Sequence, residues 1–163
     1  MKSFAFAAIA SLATADKSDF PRDTWNHCKC YLDADFGTDC NTLYSIMLPM
    51  IASWAPEPLD TPGTYTIKET ASDDYIWSQR LTYNGKYIDD QMFEFESTGP
   101  STCTVHGHSS SETVSMLDNA VNYCNLWNVY EGAEIVGVTT VTIGADHSCS
   151  QTPSNAVETC ARY

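Results

Sequence analysis

The stretch DYIWSQRLTYNGKYIDDQMFEFES, residues 74 to 97, decides which kind of fold this chain can adopt. On either side of Asn84-Gly85 its residues are aromatic and β-branched and alternate in polarity, the period of a half-buried strand. Asn-Gly supplies the two positive-φ residues of a type I′ hairpin turn. The segment therefore reads as two antiparallel strands, 74–83 and 86–97, joined by that turn.

Working outward, TYTIKET (64–70) and STCTVHGHS (101–109) share this composition, and Gly99-Pro100 turns the chain before the latter. After Asp118-Asn119 and Glu131-Gly132, the segments 120–130 and 133–144 complete a meander of six or seven strands, which can close into a small barrel. ETVSMLDNAVNYCNLW also fits a helical period through Val114, Leu117, Val121, Cys124 and Leu126. Strands are preferred there, because Asn, Asp and β-branched residues are weak helix formers.

DCNTLYSIMLPMIASW, residues 39 to 54, is the clearest helix. Leu43, Ile46, Met47, Met50, Ile51 and Trp54 fall on one face. Asp39 or Asn41 can cap its start, Pro49 should kink it, and Pro56 and Pro58 end it. The expected fold is α+β and β-rich: an N-terminal helix packed on an antiparallel meander or small barrel, stabilised by disulfides.

The chain opens MKSFAFAAIASLATA, a positive start, an apolar run and an Ala-x-Ala ending, so residues 1–15 read as a secretory signal peptide. Residues 16–163 then form one secreted domain: a helical part at 16–58, the sheet at 64–144 and a disulfide-tied segment at 145–163. No run is long and apolar enough to span a membrane. With eight Lys and Arg against 21 Asp and Glu, the formal net charge is −13. A phosphate backbone would be repelled, which argues against nucleic-acid partners.

Seven cysteines in a secreted chain imply disulfides. Proximity in sequence suggests Cys103–Cys124 and Cys149–Cys160, with Cys40 joined to Cys28 or Cys30 and one thiol left over.

Candidate sites follow from residue type. On a strand, His106 and His108 would share one face, with Cys103, Val105 and Gly107 on the other. Two such histidines could start a zinc site, but a third ligand is needed, and His147 beside Asp146 is the nearest. The plainer expectation is that both are surface residues. Gly107-His-Ser109-Ser-Ser111 resembles the G-x-S-x-G nucleophile elbow of lipases and esterases, though Ser111 replaces its last glycine. Asp33-Ala-Asp35-Phe-Gly37-Thr-Asp39 is similar to the start of an EF-hand calcium loop, whose later Gly and Glu positions hold Thr38 and Tyr44.

The strands are aromatic with interspersed polar residues, the character of a ligand-lined wall: Tyr75 and Trp77 with Gln79, Phe93 and Phe95 with Asp89 and Gln91, Tyr123 and Trp127 with Asn125. This resembles lipocalin-type barrels in architecture alone, since no glycine-x-tryptophan precedes the first strand. The expectation is a non-enzymatic extracellular binding protein with Tyr75, Trp77, Phe93, Phe95, Tyr123 and Trp127 around a small apolar ligand, and no cofactor or metal. The rival is a coat, matrix or filament subunit that partners copies of itself through its odd cysteine and strand edges. A weaker rival is a small serine hydrolase acting through Ser109.

Overall fold

The computed structural model describes residues 16–22, 26–54, 63–82, 85–114, 117–136 and 140–161. Residues 1–15, expected to be a signal peptide, and Pro56, Pro58 and Asn84 lie outside them. Strands β1 (Lys29–Phe36), β2 (Gly63–Ala71), β3 (Tyr75–Thr82), β4 (Ile88–Gly99), β5 (Thr102–Ser111) and β6 (Val141–Cys149) form one antiparallel sheet in the order β2-β3-β4-β5-β1-β6. Helices α1 (Cys40–Ser53) and α2 (Val121–Ile135) cover one face, and α3 (Ala156–Cys160) packs on α2. Among the described residues nothing pairs β2 with β6, so of the two expected forms the sheet takes the open one.

The hairpin expected from 74–97 is present as β3 and β4, with Trp77 opposite Met92 and Leu81 opposite Ile88. Its loop is longer than two residues: Thr82 N–H donates to Tyr87 O at 3.0 Å, and Gly85 takes the left-handed φ of +66°. Gly99 pairs with Thr102 across the expected Gly-Pro turn.

Helix α1 starts where Asp39 accepts from Thr42 N–H at 2.9 Å and Thr42 Oγ1 at 2.8 Å, and it runs through Pro49. Leu43, Met47, Met50 and Ile51 are buried, each contributing about 1.5–3 kcal/mol over exposure. They meet Leu32, Phe36, Ile76, Phe93, Val105, Leu126 and Val129 in the core between helices and sheet.

Two elements depart from expectation. Of residues 120–130, expected as a strand, all but Ala120 belong to α2, and the following strand begins only at Val141. Asp118 nucleates the helix: its Oδ1 accepts from Ala120 N–H at 3.1 Å and its Oδ2 from Asn122 N–H at 3.0 Å. Buried Asn122 and Asn125 find side-chain partners under the helix, so tertiary contacts override weak propensity.

The second departure is β1, which lies inside the part expected to be helical. In it Cys30, Leu32, Ala34 and Phe36 are buried toward the helices, while Lys29, Tyr31, Asp33 and Asp35 alternate outward. The calcium-like run is thus largely strand. Asp33 faces His106, and Asp35 accepts from Thr104 Oγ1 at 2.6 Å.

The disulfides are Cys30–Cys149, Cys40–Cys103 and Cys124–Cys160. The expected Cys103–Cys124 and Cys149–Cys160 bridges are therefore corrected, as is the pairing of Cys40 with Cys28 or Cys30. Sequence proximity failed because β1 enters the sheet between β5 and β6. This sets Cys30 directly opposite Cys149 and Phe36 opposite Cys103, next to the start of α1. Cys124 rides on α2 and meets α3. Cys28, outside the three bridges, is 2% exposed.

Candidate functional site

On the helix side, the sheet is apolar at one end and polar at the other. Cross-strand rows make this plain. Ile76, Phe93 and Gly107 lie abreast, next come Ser78, Gln91 and Ser109, and then Arg80, Asp89 and Ser111. The last two rows sit beneath the first turns of α2, which add Asn122 and Asn125, and every one of these polar residues is buried.

Ser109, Ser111, Asp89, Asn122 and Asn125 form a connected network with Asp118, and Ser78 and Gln91 form a separate pair beside it. Ser109 Oγ donates to Asn122 Oδ1 at 2.7 Å and accepts from Asn125 Nδ2 at 3.2 Å. Asn122 Nδ2 donates to Ser111 Oγ at 2.9 Å and Asp118 Oδ2 at 2.7 Å. Asp89 accepts from Ser111 Oγ at 2.7 Å and Asn125 Nδ2 at 3.2 Å, with Arg80 Nη1 3.7 Å away. Ser78 Oγ donates to Gln91 Oε1 at 2.8 Å.

Burial raises the Asp89 carboxyl above the usual range, against the pull of its hydrogen bonds and of Arg80. Between the sheet and α2, the donor Gln91 Nε2 and the acceptor Asn125 Oδ1 are buried without a hydrogen-bond partner among the described residues. Gln91 lies directly across from Ser109, the residue to which Asn125 Nδ2 donates.

The six aromatic residues expected to share one wall are divided between the two faces. Phe93 (edge-on to Tyr130), Phe95 (edge-on to Tyr44), Tyr123 and Trp127 belong to the core under the helices. Tyr75 and Trp77 form a second cluster with Phe20 and Met92 on the outer face. Register explains the split: Trp77 is paired with Met92 and so cannot share a face with Phe93.

That outer face is not solvent. Residues 16–22 cross it, and His108, expected at the surface, is 2% exposed. Its ring stacks on Tyr31 at 3.9 Å and meets Phe20 at 4.9 Å. Burial, then the nearby Arg22 and Lys29, lowers its pKa to about 3. His106 does reach solvent, with Nε2 2.8 Å from Glu96 and Nδ1 3.1 Å from Asp33.

The remaining sequence candidates stay apart. Ser109 bonds two amides, neither able to take its proton. His147 lies edge-on to Tyr123 and lines, with Tyr31, Asp33 and Ser148, an open groove of about 340 Å³. Among the described residues no three His, Cys, Asp or Glu side chains are placed to hold a metal ion. No described helix is long and apolar enough to cross a membrane.

The interior network was missed because strand alternation alone cannot tell which face a helix will cover. Its signal was the presence of Asp89, Gln91 and Asn125 at otherwise apolar positions. No protein-family model matches the chain, and no curated protein matches it.

Proposed function

We propose that this protein is a secreted, non-enzymatic binding protein whose guest is small and polar and lies between the sheet and α2. The observation that carries this reading is the pair Gln91 Nε2 and Asn125 Oδ1, a buried donor and a buried acceptor without a hydrogen-bond partner among the described residues beneath α2. Leaving such groups unmet costs about 1–3 kcal/mol each, and a guest with both an acceptor and a donor removes that cost. An apolar guest among Phe93, Phe95, Tyr123 and Trp127 would instead have to displace Tyr44 or Tyr130, which already pack there. Three disulfides support an oxidising, extracellular setting.

Two features weigh against the filament reading. Both sheet edges are bulged, at Ile67/Glu69 in the β2 pairing and opposite Leu32/Ala34 in the β6 pairing, and bulged edges resist strand addition. The seventh cysteine, Cys28, is buried and so poorly placed for a bridge between chains.

Thermal unfolding against a panel of small amides, polyols and amino acids tests the proposal. One class should raise the Tm of the wild type, with about 2.7 kcal/mol gained at a hundred times Kd. Gln91→Leu should abolish the gain. Only ordered water at both atoms in a crystal structure, with no compound shifting Tm, would overturn it.

A further inference from the structure

The segment Asp16–Arg22 is bound to the outer face of the sheet as if it were a separate ligand. Phe20 inserts between Trp77 and His108, with ring centroids 5.5 Å and 4.9 Å away. Lys17 and Arg22 converge from either side on Glu94, each at 2.8 Å, and Lys17 also reaches Asp74 at 2.9 Å. Tyr31 Oη donates to Arg22 O at 3.3 Å. A 3-10 turn over Lys17–Asp19, closed by a reciprocal capping box between Asp16 and Asp19, gives the segment its own shape. One apolar plug and a few polar ties make a hold that can be released without disturbing the core beneath the helices.

The residue under the plug is unusual. Both ring nitrogens of His108 are buried and lack a hydrogen-bond partner among the described residues. The charged or titratable groups around it are Arg22 on the segment, Lys29 and the stacked Tyr31 on β1, Glu94 on β4 and His106 on β5, with Asp90 one row further along. Arg22 and Lys29 disfavour a proton there, and Glu94 favours one but is already shared by Lys17 and Arg22. Asp90 is held by the Trp77 indole N–H at 2.9 Å, and His106 by Asp33 and Glu96. None of these groups offers an imidazolium an acceptor while Phe20 is seated.

We propose that residues 16–22 are a proton-released strap, held over Trp77, Met92 and His108 at neutral pH and let go when His108 takes up a proton. The linkage follows from the two states. With the strap seated, His108 titrates at about 3, against its ordinary value of 6.5 once water reaches the ring. Between those limits each pH unit of acidification multiplies the released-to-seated ratio by about ten. Glu94 acts in the same direction at lower pH: burial opposes its ionisation, but bonds from Lys17 and Arg22 outweigh this and lower its pKa, and its protonation removes both ties. Release would expose the Trp77 and Met92 surface, a change fit to mark passage into an acidic compartment.

A fluorine label on the ring at position 20 reads the strap directly, as seated and released resonances, over pH 7.5 to 4. The released-to-seated ratio should rise about tenfold per unit below 6.5 in the wild type. In His108→Phe, which keeps a stacked ring and cannot ionise, it should stay flat to about pH 4.5. Coincident curves for the two proteins would overturn the proposal. Phe20→Ala, which leaves the helix-side core untouched, supplies a second reading: its His108 should titrate near 6.5 by proton NMR, while that of the wild type stays neutral at pH 5. A wild-type His108 that titrates near 6.5 with the strap still seated would be equally fatal.

Discussion

Gly107 is the position where a single methyl group should do the most damage. It lies in β5 under Tyr130, and a Cβ built there meets Tyr130 Oη and, at 2.7 Å, the main-chain oxygen of Leu32 on the neighbouring strand. The tyrosine is fully buried, and its hydroxyl donates to Leu32 O at 2.7 Å and reaches Val105 O at 3.4 Å. Gly107→Ala must push this hydroxyl off its acceptor, at about 1–3 kcal/mol for an unmet buried group. It must also part β5 from β1 or α2, at about 1–3 kcal/mol for overpacking. The sum is about 4 kcal/mol, a large share of the 5–15 kcal/mol typical of a domain.

Urea unfolding followed by circular dichroism measures this. With a slope of about 2 kcal/mol per molar, the midpoint should fall by about 2 M. Tyr130→Phe alone should cost about 1–2 kcal/mol. In the double variant the losses should fall short of additive by at least about 1 kcal/mol, because the missing hydroxyl makes room for the methyl. A midpoint for Gly107→Ala within about 0.3 M of the wild type, or strict additivity, would refute this packing.

Mass spectrometry of the unreduced chain should recover the Cys30–Cys149, Cys40–Cys103 and Cys124–Cys160 peptides. Replacing Cys124 and Cys160 by Ala should cost about 4 kcal/mol, from the loop-closure relation applied to a separation of 36 residues; a loss under about 1 kcal/mol would contradict it. Asp89→Leu removes the acceptor shared by Ser111, Asn125 and Arg80, and should cost about 3 kcal/mol or more in chemical denaturation; a neutral outcome would mean the network contributes nothing. His106 has a raised pKa through Glu96 first and Asp33 second, with burial opposing. Its folded-state proton is held more tightly, so the stabilisation is full below about pH 6.5 and is lost as pH rises through the folded value. His106→Gln should remove this contribution from a stability–pH profile, and an unchanged profile would deny the clamp.

The hairpin around Asn84-Gly85, the Gly99-Pro100 turn and α1 with its Asp39 cap were legible because each rests on neighbours in sequence. Turn chemistry, a capping side chain and an unbroken 3.6-residue period need no distant partner. The strand β1 was equally legible in its alternation of Cys30, Leu32, Ala34 and Phe36, but the acidic residues between them drew the reading toward a cation loop. Helix α2 was not legible in the same way. Its weak intrinsic preference is outweighed by Asp118 just before it and, above all, by Ser109, Ser111 and Asp89 beneath Asn122 and Asn125, which come from β4 and β5.

What the sequence determined by itself, then, was local: which segments extend, where they turn, where one helix begins, and that disulfides should be present. The tertiary structure alone decided which cysteines meet, that His108 lies under Phe20, and that Asp89, Gln91 and Asn125 are enclosed together between the sheet and α2, Asp89 and Asn125 hydrogen-bonded to each other. The physical reason is the placement of β1 between β5 and β6. Strand periodicity sorts side chains onto two faces, but strand order chooses each face's neighbours and the chain crossing over it.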